Sequence, residues 1–214
     1  MTKIVYSSDL HGNELHYRKL VEYANGIPTD IVIIGGDIAP SKFESEYIKG
    51  QRIFLQDRLP SIFDTLGEGI EVFLMMGNDD CMTNRGVLEK GDMYRTIHGR
   101  RFRLADDFEI IGYPFVPITP FDIKDWERFD FSEVPPDLRK RYEKRKKTEY
   151  RMKGVISTSA GWQEVTFRPE SESVVSIQRH LKKEIYTRNP RKTVYVMHAP
   201  PDDTCLDLIR PGEH

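Results

Sequence analysis

Cysteine, tryptophan and long apolar runs are all scarce in this chain. Cys81 and Cys205 are the two cysteines among 214 residues, too few for a disulfide framework and in keeping with a reducing compartment. No apolar stretch approaches the length that spans a bilayer, and Met1-Thr2-Lys3 runs straight into a β-branched segment, leaving no room for a secretory leader. The expectation from these absences is a cytoplasmic protein with no membrane partner. Ser/Gly-rich linkers, internal repeats and low-complexity tracts are missing too, so residues 1–214 read as a single domain long enough to bury one α/β core. The formal charge of −2 hides an asymmetry. Between Arg139 and Lys153 nine Lys and Arg face two Glu, a net +7 that leaves −9 for the rest of the chain. Such a stretch can hold a phosphate-rich partner, nucleic acid included. It lacks the interleaved aromatics of single-strand binders, however, and reads first as a solvated helical face.

What is present is one pattern that recurs four times. Ile4-Val5-Tyr6-Ser7-Ser8 breaks into Asp9-Leu10-His11; Asp30 to Ile34 leads into Gly35-Gly36-Asp37; Ile70 to Met76 leads into Gly77-Asn78-Asp79-Asp80; Thr193 to Met197 leads into His198. Short β-branched and apolar runs of this kind are buried strands. In open α/β sheets the mouth beyond the strand ends is where ligands bind. Four such runs delivering oxygen and nitrogen ligands at the same end amount to a metal site at one edge of a sheet. Carboxylates suit hard divalent cations, while imidazole and amide oxygen widen the choice to manganese, iron, zinc or nickel. Two ions a few ångströms apart need a shared ligand, and a carboxylate can bridge them through its two oxygens. Asp37 is the natural bridge, Asp9 and His11 can turn toward one ion, and Asn78 and His198 suit the other.

Between these runs the chain alternates strand and helix, as a parallel-strand architecture should. Glu14 to Ala24 reads as a helix with Asn13 as its N-cap and Asn25-Gly26 as its stop. A second helical stretch, from about Glu44 to Leu66 with a break at Pro60, offers Tyr47, Ile48, Ile53, Phe54, Leu55 and Leu59 to a sheet. Arg101 to Leu104 and Phe108 to Tyr113 read as antiparallel strands around Asp106-Asp107. Ser157 to Gly161 reads as a small-residue loop, and Val174 to Ile185 as an amphipathic helix. Pro114, Pro117 and Pro120 dictate an extended loop carrying Phe115, Thr119, Phe121 and Trp126. On a rigid sheet such a loop is a place for ligand contacts, and packing of its aromatics into the body is an equal alternative. Asn13, Thr119, Phe121 and Trp126 are the candidate substrate contacts. Cys81 follows the Asn78 motif closely, but a small buried thiol is the plainer reading.

Taken in order, Asp9-Leu10-His11, Gly36-Asp37, Gly77-Asn78 and His198-Ala199-Pro200-Pro201 resemble the motif set of the calcineurin-like metallophosphoesterases, over about residues 3 to 205. The resemblance implies a four-layer αββα sandwich of two mixed β-sheets flanked by helices. It also implies hydrolysis of phosphomonoesters or phosphodiesters by a binuclear metal centre that activates a bridging water. Carried over by position, Asp9 and His11 bind the first ion, Asp37 bridges, and Asn78 and His198 bind the second, with Asn78 also orienting the phosphate. The ions expected are two divalent cations, manganese first, with iron, zinc, nickel and magnesium as alternatives. Substrates of the class include phosphorylated small molecules, nucleotides and phosphoproteins.

Two departures qualify this reading. Where the family follows its Gly-Asn with a phosphate-binding His, this chain has Asp79, which would repel a phosphate unless protonated or turned away and is retained as a candidate acid. Asp80 is expected to hydrogen-bond a ligand such as His11. The family also closes its site with Gly-His-x-His, which is not found before the chain stops at Pro211-Gly212-Glu213-His214. His214 follows no apolar run and is not read as a ligand. The expectation is therefore an apparently truncated domain with an uncovered sheet edge, poorly soluble or paired as a homodimer. A second function class stays open beside the enzyme: a catalytically weak or inactive binding or scaffold protein on the same fold, for which the retromer subunit with a phosphoesterase fold is an analogy.

Overall fold

Four short segments, Ile4–Ser7 (β1), Ile31–Ile34 (β2), Glu71–Leu74 (β3) and Arg95–Thr96 (β4), pair in that order as a wholly parallel sheet in the computed structural model. The structure describes residues 2–41, 46–133, 136, 152–167, 175–184 and 189–201. Residues 139–151 of the basic stretch, and the tail with Cys205 and His214, lie outside the described residues.

Parallel pairing requires a crossover after each strand. The first is Glu14–Gly26 (α1), capped as expected by Asn13, whose Oδ1 accepts from the Leu15 and His16 amides at 3.0 and 3.3 Å. The second is not one helix broken at Pro60 but two, Tyr47–Ile53 (α2) and Leu59–Phe63 (α3), joined by the π-helical turn Phe54–Arg58. Pro60 comes just after the π-helical turn, where the i to i+5 pairing already departs from the α-helical ladder that a proline interrupts. The third crossover holds the short helix Arg85–Leu88 (α4).

Beyond β4, Arg101–Arg103 (β5) and Glu109–Tyr113 (β6) are antiparallel, as expected. Val116–Pro117 (β7) and Glu127–Arg128 (β8) bracket the proline-rich loop as a two-residue parallel pair. The small-residue loop expected near Ser157 is instead the tip of a hairpin between Lys153–Thr158 (β9) and Gly161–Thr166 (β10). The helix Ile177–Glu184 (α5) precedes Thr193–Met197 (β11), which pairs parallel to β6 and completes a second sheet in the order β11-β6-β5.

Alternation along the strands explains the layering. Val32, Ile34, Val72 and Leu74 face the helices, packing with Tyr17, Phe54, Leu59 and Phe63. Ile31, Ile33 and Phe73 point the other way and meet Ile110 and Val196 of the second sheet. At β2 the main sheet is thus buried on both faces, which is why that strand is apolar at every position. On the far side of the second sheet Ile111 and Tyr113 meet Ile177 and Leu181 of α5. The chain is an α/β protein with several sheets and helices. No helix among the described residues is long and apolar enough to cross a membrane.

Candidate metal centre

The loops leaving β1 and β2 run side by side and continue the strands' pairing beyond their ends. Gly36, Asp37 and Ile38 carbonyls accept from the amides of Asp9, His11 and Gly12 at 3.1, 2.8 and 3.0 Å. Asp9, His11 and Asp37 all sit in the left-handed region, at φ of 56°, 45° and 51°. Asp and His tolerate that conformation better than most residues, and the paired loops hold it in place. The result is that side chains which would alternate along an extended strand are turned toward a common point.

Asp37 occupies that point and is 3% exposed. Its Oδ1 lies 3.5 Å from His198 Nε2 and accepts the Asp79 amide at 2.9 Å, while its Oδ2 lies 3.8 Å from His11 Nε2. The two carboxylate oxygens therefore face two different histidines. Ligand atoms of Asp9, Asp37 and His198 lie within 4.8 Å of one another, and so do those of His11, Asp37 and Asp79. All five of the expected ligand residues are brought together, but Asp9 groups with His198, and His11 with Asp79, instead of Asp9 with His11.

His198 arrives from the second sheet, at the end of β11. Its Nδ1 donates to the Gly35 carbonyl at 2.9 Å, which in the neutral ring leaves a lone pair on Nε2. That nitrogen faces Asn78 Oδ1 at 2.9 Å as well as Asp37 Oδ1. Three electron-pair donors aimed at one another need a second ring proton or a cation between them. Burial pulls the ring's pKa down, but the Asp37 hydrogen bond and charge, with the Gly35 carbonyl and the Asp9 charge, outweigh it and hold the pKa up at about 9. His11 Nδ1 is buried and has no hydrogen-bond partner among the described residues. A Cβ at Gly36 would collide with the His198 ring, and one at Gly77 with the Asp37 carboxylate and the same ring. Orphaned nitrogen, converging oxygens and a cradle that only glycine leaves open together fit divalent metal ions.

The loop after β3 supplies Asn78 and Asp79. Asn78 Nδ2 donates to Asp79 Oδ1 at 3.0 Å. Burial first, and then the charge of Asp37, raise the Asp79 pKa. Asp80 does not reach His11. Its carboxylate accepts the amides of Ile38, Ala39 and Gly77 at 3.0, 2.8 and 2.8 Å, because these tight turns leave inward-pointing N–H groups that a buried acceptor must satisfy. Burial and Asp37 push its pKa up to about 7 against those three bonds. Asp80 thus ties the β2 and β3 loops together. Gln51 of α2 clamps the same loop from outside, donating to the Asp79 carbonyl at 2.8 Å and accepting the Cys81 amide at 2.7 Å. Cys81 is buried between Tyr47 and Ile123, and burial raises its thiol pKa.

A cleft of about 520 Å³ opens over these ligands, walled by Ser41, Tyr47 and Pro120 to Ile123. Of the expected substrate contacts, Phe121 lines it and is largely exposed. The other three do other work. Asn13 is spent on the helix cap. Trp126 is buried, its Nε1 donating to the Asp80 carbonyl at 2.7 Å and its ring stacked on His98 at 5.5 Å. The Thr119 hydroxyl donates to Glu127 and accepts the Phe121 amide. Tyr47, expected to face a sheet, instead walls the cleft, its hydroxyl donating to the Asp79 carbonyl at 3.0 Å. Its place at the start of α2, opposite the Asn78 loop, could not be read from helical spacing.

No protein-family model and no curated protein matches this chain. Solved structures similar to it include a novel archaeal phosphodiesterase, at 19% identity and a TM-score of 0.37, covering 52% of this chain and 58% of that one. TT1561 of Thermus thermophilus is similar at 14% identity and a TM-score of 0.43, covering 69% of this chain and 63% of that one. The chain thus spans about three-fifths of the length of either.

Proposed function

We propose that this chain is a metal-dependent phosphoesterase that hydrolyses phosphomonoester or phosphodiester bonds at a two-ion site. The observation that carries the reading is Asp37, one buried carboxylate shared by two ligand groups and turned with one oxygen toward each histidine. Asp9, Asp37 and His198 would hold one ion, with Asn78 beside them, and His11 and Asp37 the other. Divalent ions, manganese first, would supply positive charge for a phosphoryl group and a lowered pKa for an attacking water. The chain's own part is positional. Asp37 fixes the spacing of the two ligand groups, the Gly35 carbonyl fixes the orientation of His198, and Asn78 lies between the groups with its Oδ1 at His198 and its Nδ2 at Asp79. Helices on one face of the main sheet, a second sheet on the other and α5 beyond it support an αββα layering. The cleft suits a phosphorylated small molecule, a nucleotide or a phosphorylated side chain.

The test is thermal melting with and without millimolar Mn²⁺, paired with hydrolysis of a bis-aryl phosphodiester. Mn²⁺ should raise the melting temperature, by about 2.7 kcal/mol of stabilisation at a hundredfold excess over Kd. Asp37→Asn should abolish both that shift and hydrolysis. No shift in the wild type, or an equal shift in the variant, would refute the site. A shift without hydrolysis would favour the binding or scaffold alternative.

A further inference from the structure

Position 79 is where this chain departs from the motif set it resembles, and its carboxylate, in the lining of the cleft, has a different neighbour at each oxygen. One carboxylate oxygen, Oδ1, is held by the Asn78 amide at 3.0 Å. The other, Oδ2, is left facing His11 Nδ1 at 3.9 Å. That distance is too long for a hydrogen bond. It is within reach of a shared ion, because two atoms each bound at about 2.1 Å can lie up to about 4.2 Å apart. His11 Nδ1 is the same atom that is buried and has no hydrogen-bond partner among the described residues. The backbone fixes the arrangement: the Asp79 amide donates to Asp37 Oδ1, and its carbonyl accepts from Tyr47 and Gln51. The backbone is therefore anchored at the edge of the Asp37 carboxylate, and the Asn78 amide holds one oxygen of a side chain that itself lines the cleft.

We infer that Asp79 is a metal ligand which, with a single ring nitrogen of His11 and one oxygen of Asp37, atoms within 4.8 Å of one another, completes the second ion's site, and that it is not the acid that protonates the leaving group. The inference rests on the two-ion reading above. It resolves the electrostatic conflict of a carboxylate beside a phosphate, because a coordinated carboxylate has its charge neutralised by the ion it binds. It also adds a ligand from the loop after β3 to those that the second ion takes from the loops after β1 and β2. Asn78 then has a further role: its Oδ1 meets His198 and its Nδ2 meets Asp79, so one side chain spans the two ligand groups and aims Asp79 Oδ2 at His11.

The experiment is Mn²⁺ uptake by equilibrium dialysis, with electron paramagnetic resonance of the loaded protein. The full chain is compared as wild type, Asp79→Asn and Asp79→His. Wild type should bind two ions with the spectrum of a coupled pair. Asp79→Asn keeps every backbone bond of the residue. It should hold one ion, bind the second at least about tenfold more weakly, and show an uncoupled six-line spectrum, with an unchanged circular dichroism spectrum reporting the fold. Asp79→His, which offers a nitrogen ligand, should recover the second ion. Two ions bound by Asp79→Asn as tightly as by wild type would overturn the assignment of Asp79 alone. Fewer than two ions in the wild type would overturn the two-ion reading and this inference with it.

Discussion

His98 shows how one buried side chain can fix a site it never touches. Its Nε2 accepts the Met76 amide at 2.7 Å, just before the Asn78 loop, and its ring stacks on Trp126, whose indole holds the Asp80 carbonyl. Accepting at Nε2 requires the neutral ring. Burial first, with help from the charges of Arg85 and Arg100, lowers its pKa to about 3. Because this folded-state value lies below the ordinary 6.5, the unfolded chain binds the extra proton first. The contribution of His98 is thus fully present above about pH 6.5 and is lost as pH falls toward 3. His98→Gln keeps an acceptor for Met76 but cannot titrate. Urea midpoints measured from about pH 7 down to about pH 3.5 should fall more steeply for wild type than for this variant. Parallel curves would mean that His98 is not buried neutral.

At the scale of elements, the proline-rich segment was legible as a loop but not in its direction. Three prolines limit regular pairing to the two residues of β7, yet nothing in their spacing says which aromatics turn inward. Trp126 is buried with its N–H on the Asp80 carbonyl and Phe115 packs beside it, whereas Phe121 lines the cleft. The segment is held by a buried ion pair that no local pattern announces, Lys124 Nζ to Glu127 Oε2 at 2.7 Å, with Nζ also donating to the Thr119 carbonyl at 2.8 Å. Burial raises the Glu127 pKa against the opposing pull of Lys124. Removing one partner of such a pair strands the other's charge. Lys124→Met should therefore destabilise the fold by about 3–5 kcal/mol in urea titrations, and Lys124→Met combined with Glu127→Gln should recover much of that loss. A double variant no better than the single one would show that the lysine stem, and not the charge, holds the loop. The β9–β10 hairpin is a different kind of miss. Lys153–Thr158 and Gly161–Thr166 carry most of their β-branched residues as the adjacent pairs Val155-Ile156 and Val165-Thr166 without alternation, so the small residues marked the turn and little marked the strands.

For the whole molecule, the strand ends and their ligands were readable because burial on two faces forces continuous apolar runs, and a polar residue at the end of such a run stands out. The division of those strands between two sheets was not, since β2 and β11 look alike in sequence while pairing with different partners. The layering leaves β1 in an unequal position. Val5 packs toward the helices, but the second sheet stops at β11, whose Val196 lies against the β2 side of the main sheet. Among the described residues nothing covers the opposite face of β1, and Ile4 and Tyr6 are 42% and 56% exposed, against 2% for Ile33. Ile33→Thr should then cost about 2–4 kcal/mol, from lost apolar burial and an enclosed hydroxyl, while Ile4→Thr should cost less than about 1 kcal/mol. Urea unfolding of both variants alongside light scattering decides the matter. Equal losses would show that β1 is covered in solution, and a mass of twice the chain would identify the cover as a second copy. A large loss only at Ile33 would leave β1 as the open margin of the main sheet.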